Sequence, residues 1–95
     1  MKGYYKLPTI NYRIATHEGN AIRRLASQAN ELLPMPVNLV PEEYKQKFAK
    51  LKQLIEEELD NLPDGVMFPV RLSNIRNSTA VKYIKLLLEI EDKTN

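Results

Sequence analysis

The only histidine of the chain, His17, stands beside Glu18. A histidine next to a carboxylate could bind a metal ion or move a proton. Neighbouring helix positions point about 100° apart, however, and the chain has no second histidine and no cysteine. We therefore interpret His17 as a solvated residue at a helix start. Zinc catalysis and a serine-type triad are correspondingly poor candidates.

Four acids lie close together near the middle of the chain, at Glu56, Glu57, Glu58 and Asp60. Such a group could supply paired carboxylates or hold a divalent cation. Consecutive glutamates on a helix point in different directions, so a solvated helix face is the better interpretation. The three glycines are far apart and form no phosphate loop or dinucleotide fingerprint. We expect no catalytic residue, no metal ligand and no cofactor, and a protein that is not an enzyme.

The first quarter of the chain is basic and rich in tyrosine, a composition that suits binding of single-stranded nucleic acid. The tyrosines, with Tyr12 among them, would stack on bases, and the cations would contact phosphates. The residues predicted for this face are Lys2, Tyr4, Tyr5, Lys6, Arg13, Arg23 and Arg24. The alternative is that the tyrosines cover an edge of the fold and the charges are solvated. The net charge is only +2, which argues against a strong nucleic-acid-binding module.

A second nucleic-acid hypothesis concerns the C-terminal part of the chain. Residues 70–76, the turn at Asn77 and the helix that follows could form a helix-turn-helix. Thr79, Lys82 and Lys85 would then face DNA. A recognition helix needs an exposed polar face, and this helix has little of one, which argues against the hypothesis.

Apolar residues recur at helical spacing along most of the chain, which predicts an all-α fold. Thr16 is a suitable N-cap, and Pro41 suits the first position of a helix. The three main helices are expected at about 17–33, 41–61 and 79–91, with a short fourth helix or strand near 69–76. Short loops between such helices favour an antiparallel bundle.

The N-terminal residues show a different pattern. Ile10, Tyr12 and Ile14 alternate with polar residues, a period of two that favours a short strand or an extended arm. We therefore expect one domain over residues 1–95, made of an N-terminal arm at 1–15 and a helical bundle at 16–92. The length fits a single hydrophobic core.

The last predicted helix is apolar around most of its circumference. Such a helix is either central or covered on a second face by another chain. Since a three-helix bundle has one central seam, we expect leftover apolar surface, which usually marks an interface. The predicted interface residues are Tyr83, Leu86, Leu87, Leu88 and Ile90. The leading hypothesis is therefore a non-enzymatic protein–protein interaction module or accessory subunit, forming a homo-oligomer or binding a protein partner. A nucleic-acid-binding regulator is the alternative.

Other features of the sequence bear on where in the cell the protein is expected. No apolar run approaches the ~20 residues that a membrane span needs, and the N-terminus lacks the apolar stretch of a signal peptide. The absence of cysteine excludes disulfides. We expect a cytoplasmic protein with no membrane contact and no evident small-molecule substrate.

Two segments, residues 41–48 and 75–82, resemble parts of short uncharacterised bacterial proteins of about this length, 95 residues. The resemblance covers roughly residues 15–92. It implies a compact helical fold in a bacterial protein. That group has no assigned activity, so the resemblance implies no chemistry.

Overall fold

The computed structural model describes residues 3–66 and 72–94. These ranges contain five α-helices and one short 3-10 helix: α1 (Leu7–Thr16), α2 (Ala21–Ser27), α3 (Ala29–Leu32), the 3-10 helix Val37–Leu39, α4 (Glu42–Asp60) and α5 (Asn77–Thr94). No strand occurs within them. The predicted all-α class is confirmed.

The C-terminal helix α5 is the centre of the fold, because it packs against α1, α2 and α4. Ala80, Leu87 and Ile90 of α5 are completely buried. They meet buried residues of the other helices, among them Ile10 of α1 and Phe48 of α4. The wide apolar surface of this helix is therefore used within one chain, by three neighbouring helices.

The expected arm or strand at residues 1–15 is wrong for most of its length, because Leu7–Thr16 forms helix α1. Pro8 lies in the first turn, where a missing N–H costs no hydrogen bond. Leu7, Ile10 and Ile14 follow helical spacing and are buried, whereas Tyr12 is 69% exposed. The spacing of Ile10 and Ile14 fits both a strand and a helix. The exposure of Tyr12 between them fits only the helix, because a strand would place Tyr12 on the same face as the two isoleucines.

The predicted helix at 17–33 is divided into α2 and α3. Thr16 ends α1 instead of capping the next helix. The N-cap of α2 is Asn20, whose side chain accepts a hydrogen bond from the backbone N–H of Arg23 at 3.0 Å. At the other end, Ser27 Oγ donates to the carbonyl of Arg24 at 2.6 Å. Side-chain bonds of this kind compete with the helical ladder, and α2 ends at this residue.

The two long helices agree well with the expected ones. Helix α4 (Glu42–Asp60) begins directly after Pro41 and ends within one residue of the prediction. Helix α5 (Asn77–Thr94) is longer than the predicted 79–91 at both ends. Of the short helix or strand expected near 69–76, residues 69–71 lie outside the described residues, and residues 72–76 form a turn.

Candidate functional site

The structure places the predicted interface residues mainly in the core. Leu87 and Ile90 are fully buried, and Tyr83 and Leu86 are 9% and 6% exposed. Leu88 alone of the five is exposed, at 49%. The predicted interface is therefore largely buried within the chain, because α1, α2 and α4 cover four of its five residues. Tyr83 and Leu86 keep a small exposed edge that lines a surface hollow.

The predicted nucleic-acid face is divided by the fold. Tyr5, Lys6 and Arg13 border one shallow hollow of about 260 Å³, which Glu31 also lines. The ammonium of Lys6 lies 3.4 Å from Glu31 Oε2 and 5.7 Å from the centre of the Tyr5 ring. The neighbouring Glu31 carboxylate raises the pKa of Lys6. The charge of Lys6 is thus partly matched within the chain.

The other residues of the predicted nucleic-acid face make local contacts elsewhere in the fold or lie outside the described residues. Arg24 Nε donates to the carbonyl of Gly19 at 2.8 Å, and the methylene groups of Arg23 lie beside the same glycine. Tyr4 is half-buried and packs against the core. Lys2 lies outside the described residues. The structure therefore does not gather these residues into one binding surface.

A different basic surface lies between α4 and α5. Two open hollows, of about 420 and 460 Å³, share Lys50, Thr79 and Tyr83 and so form one continuous groove. We call it the α4–α5 groove. Its apolar lining comes from Leu54, Ile75, Tyr83 and Leu86, and its cations are Lys47, Lys50, Arg76, Lys82 and Lys85.

Antiparallel packing of the two long helices positions these cations. Tyr44, in the first turns of α4, lies near Glu89 of α5, and partial burial together with Glu43 and Glu89 raises the pKa of Tyr44. At the opposite end, Asn74 Nδ2 donates to the carbonyl of Leu54 at 2.9 Å. The two helices therefore run side by side in opposite directions along the whole groove.

The turn before α5 closes one end of the groove. Ser73 Oγ donates to both carboxylate oxygens of Glu58, at 2.9 and 3.2 Å. With the bond from Asn74 to α4, this fixes the turn and places Ile75 and Arg76 on the lining. Glu58 thus holds the turn, whereas Glu56, Glu57 and Asp60 of the same acidic cluster are exposed.

The groove carries an excess of unmatched positive charge. Its five cationic residues are all exposed, and the ion pairs of the described residues are Lys6–Glu31 and Lys45–Glu42, neither of which includes a groove cation. Glu89 is the acid that lines the groove, at the end near Tyr44. Cations therefore outnumber acids among the residues that line the groove, which favours anionic ligands there.

The described residues show no arrangement typical of a metal site. No group of three or more histidine, cysteine or acidic side chains is placed to hold a metal within residues 3–66 and 72–94. His17 is exposed and its ring contacts the carbonyl of Glu18. Burial raises the pKa of the Tyr83 hydroxyl, which therefore stays neutral in the groove near neutral pH.

Three residues that line this groove were singled out in the sequence as a possible DNA-binding face. Thr79, Lys82 and Lys85, predicted to face DNA, do share one side of α5 and line the groove. The described residues before α5, 72–76, form a turn, so that part of the helix-turn-helix lacks its first helix. Lys47 and Lys50 were missed because the sequence does not show which side of α4 lies against α5.

Comparisons with protein-family models, with curated proteins and with solved structures found no match to this chain. The resemblance to short bacterial helical proteins therefore stays a prediction. In the part of the chain that the structure describes, no helix has the length and apolar character that a membrane crossing requires.

Proposed function

We propose that this protein is a non-enzymatic protein-interaction module, an accessory subunit that binds its partner through the α4–α5 groove. The α4–α5 groove shares Tyr83 and Leu86 with the interface predicted from the sequence, whereas Leu87 and Ile90 are fully buried in the core. The bacterial and cytoplasmic setting expected from the sequence is part of this proposal.

The observation that carries the proposal is the combination of an apolar lining with unmatched cations. Protein-binding grooves are typically apolar at the centre and polar at the rim. Here the lining is supplied by Leu54, Tyr83 and Leu86, and lysines from both helices stand at the rim. Binding to such a surface is favourable for a ligand that covers its apolar part and neutralises its charge.

The partner is proposed to be a different protein rather than a second copy of this chain. A homo-oligomer was expected because α5 has an excess of apolar residues. Four of the five residues on which that expectation rested are buried within one chain, so they leave little apolar surface for self-association. We therefore expect the purified protein to have the mass of one chain, 11.0 kDa, by light scattering. A stable dimer would return self-association to first place.

Photo-cross-linking in cells of the source organism tests the proposal. A photoreactive amino acid replaces Thr79, which lines the groove, and in a control strain replaces Asn30, an exposed residue of α3. We expect an adduct with one protein from position 79, absent from position 30 and lost when Lys50→Glu and Lys82→Glu are added. Mass spectrometry identifies the cross-linked peptide.

Three results would contradict the proposal. One is a nucleic-acid adduct at position 79, which would favour the alternative of a nucleic-acid-binding regulator. Another is the same set of adducts from positions 79 and 30, which would indicate nonspecific collisions. The third is the absence of any adduct from position 79 while the protein is folded and expressed normally.

A further inference from the structure

We infer that the partner segment bound by the α4–α5 groove is an acidic amphipathic helix of about three turns. This inference rests on the proposed function and specifies the chemistry of the partner. It follows from three properties of the groove: its apolar lining, the placement of its cations on both sides, and its length.

The apolar lining selects an occupant with an apolar stripe. Tyr83 and Leu86 lie on the α5 side, and the half-buried Leu54 and Ile75 continue the lining towards the turn before α5. An amphipathic helix that lays one row of side chains into such a groove is a recurring mode of recognition.

The cations select acidic residues on both flanks of that stripe. Lys47 and Lys50 stand on the α4 side, and Lys82 and Lys85 stand on the α5 side. None of these lysines has an ion-pair partner among the described residues. A helix that carries acids on either side of its apolar row would meet cations on both walls, and this complementarity would fix its position and speed its association.

The length and polarity of the groove limit the occupant further. Thr79 and Glu89 both line it and are ten positions apart, which corresponds to about 15 Å of helix. That length matches about three turns of a bound helix. Because Arg76 stands at one end and Glu89 at the other, the acids of the occupant should be concentrated towards the Arg76 end.

The same features disfavour other occupants. Binding of single-stranded nucleic acid relies on exposed aromatic rings for stacking, and Tyr83, the aromatic residue of the groove, is 9% exposed. A second copy of this chain offers the exposed acids Glu56, Glu57 and Asp60 on α4. The apolar neighbours Ile55 and Leu59 on that stretch pack against the core, so this acidic stretch of a second copy brings charge without an apolar stripe.

A titration with synthetic peptides tests the inference. The probe is a helix-forming peptide of about 18 residues, with leucine at helical spacing and glutamate on both flanks. A scrambled peptide of the same composition keeps the charge and removes the stripe. Binding is followed by NMR chemical shifts of the labelled protein, which identify the contacted residues, and by fluorescence anisotropy, which gives the Kd.

Two charge-reversal variants with the same change in net charge locate the binding. The groove variant carries Lys50→Glu and Lys82→Glu, and the matched control carries Arg13→Glu and Arg23→Glu, two exposed cations outside the groove. We expect the probe to shift groove resonances and to bind the groove variant about tenfold or more weakly. The control should lose less than about threefold, because exposed charges at a distance are screened by salt.

Several results would overturn the inference. Equal weakening in both variants, or equal affinity for the scrambled peptide, would mean that only net charge attracts the probe. Groove binding of a single-stranded oligonucleotide with higher affinity than the probe would assign the groove to nucleic acid. A dimer by light scattering that the groove variant dissociates would make a second copy the occupant.

The two proposals can fail separately. If cross-linking from position 79 identifies a protein segment that is neither acidic nor helical, the proposed function stands and the inference about the partner fails. If cross-linking yields no protein, the proposed function fails, whatever the peptide titration shows.

Discussion

Helix α5 is contacted by α1 and by α4 in two different ways. On the α1 side, Leu7, Ile10 and Ile14 are buried, and the buried side chain of Asn11 donates to the carbonyl of Leu87 at 3.1 Å. On the α4 side Phe48, Leu51 and Ile55 are also buried, but the α4–α5 groove is open to solvent. The polar contacts on this side, such as that of Asn74 with Leu54, are exposed.

The difference shows which charged groups remain available for binding. Near α1, Lys6 is matched by Glu31, and Asn11 donates to Glu91 Oε1 at 2.8 Å. Along the groove, the lysines have no ion-pair partners within the described residues. A count of basic residues along the sequence favours the N-terminal region, whereas the contacts favour the groove.

The largest expected effect concerns two neighbouring leucines of α5. Leu87 is fully buried and Leu88 is 49% exposed. Leu87→Ala should lower the free energy of unfolding by about 2–5 kcal/mol, because it leaves a cavity in the core. Leu88→Ala should change it by less than about 0.5 kcal/mol. Urea unfolding followed by circular dichroism measures both, and similar losses would contradict the assignment of α5 as a central helix.

A matched pair of asparagines gives the next largest effect. Asn11 and Asn74 each donate to a helix carbonyl, but the first bond is buried and the second is exposed. Asn11→Ala should cost about 1–3 kcal/mol, since buried polar groups lose their partners without water to replace them. Asn74→Ala should cost less than about 1 kcal/mol. Thermal unfolding of the two variants measures which one loses more stability. A larger loss for Asn74→Ala would contradict the view that the α1 side of α5 is the more tightly packed one.

The smallest expected effect is on the groove lysines themselves. Lys50→Gln combined with Lys82→Gln should leave stability within about 0.5 kcal/mol of the wild type, because exposed charges without partners contribute little to folding. Removing like charges from one surface would shift it, if at all, towards greater stability. A clear loss in guanidinium unfolding would show that these lysines have a structural role instead.

Much of the fold could be predicted from the sequence. The long amphipathic helix α4 was located within one residue at each end, because its apolar spacing and Pro41 are local signals. The N-terminal helix was missed since Ile10 and Ile14 satisfy two periodicities. The break between α2 and α3 lies at Gln28, whose backbone leaves the helical conformation, and spacing alone does not reveal it.

The candidate site was less predictable. The apolar excess of α5 indicated either a central helix or an interface, and only its contacts with α1, α2 and α4 decide between them. The groove joins Lys47 and Lys50 to Lys82 and Lys85, about 35 positions apart along the chain. Such a cluster depends on how two helices pack, because residues on separate helices become neighbours only in the folded chain.

A charge-swap titration is the most direct test of the central claim, that complementary charge in the α4–α5 groove holds an acidic amphipathic helix. The Lys50→Glu, Lys82→Glu variant is titrated with the acidic probe and with a version whose glutamates are replaced by lysine. We predict that the variant loses affinity for the acidic probe and gains affinity for the lysine version, each by about tenfold. If both proteins keep the same preference for the acidic probe, the groove is not where it binds.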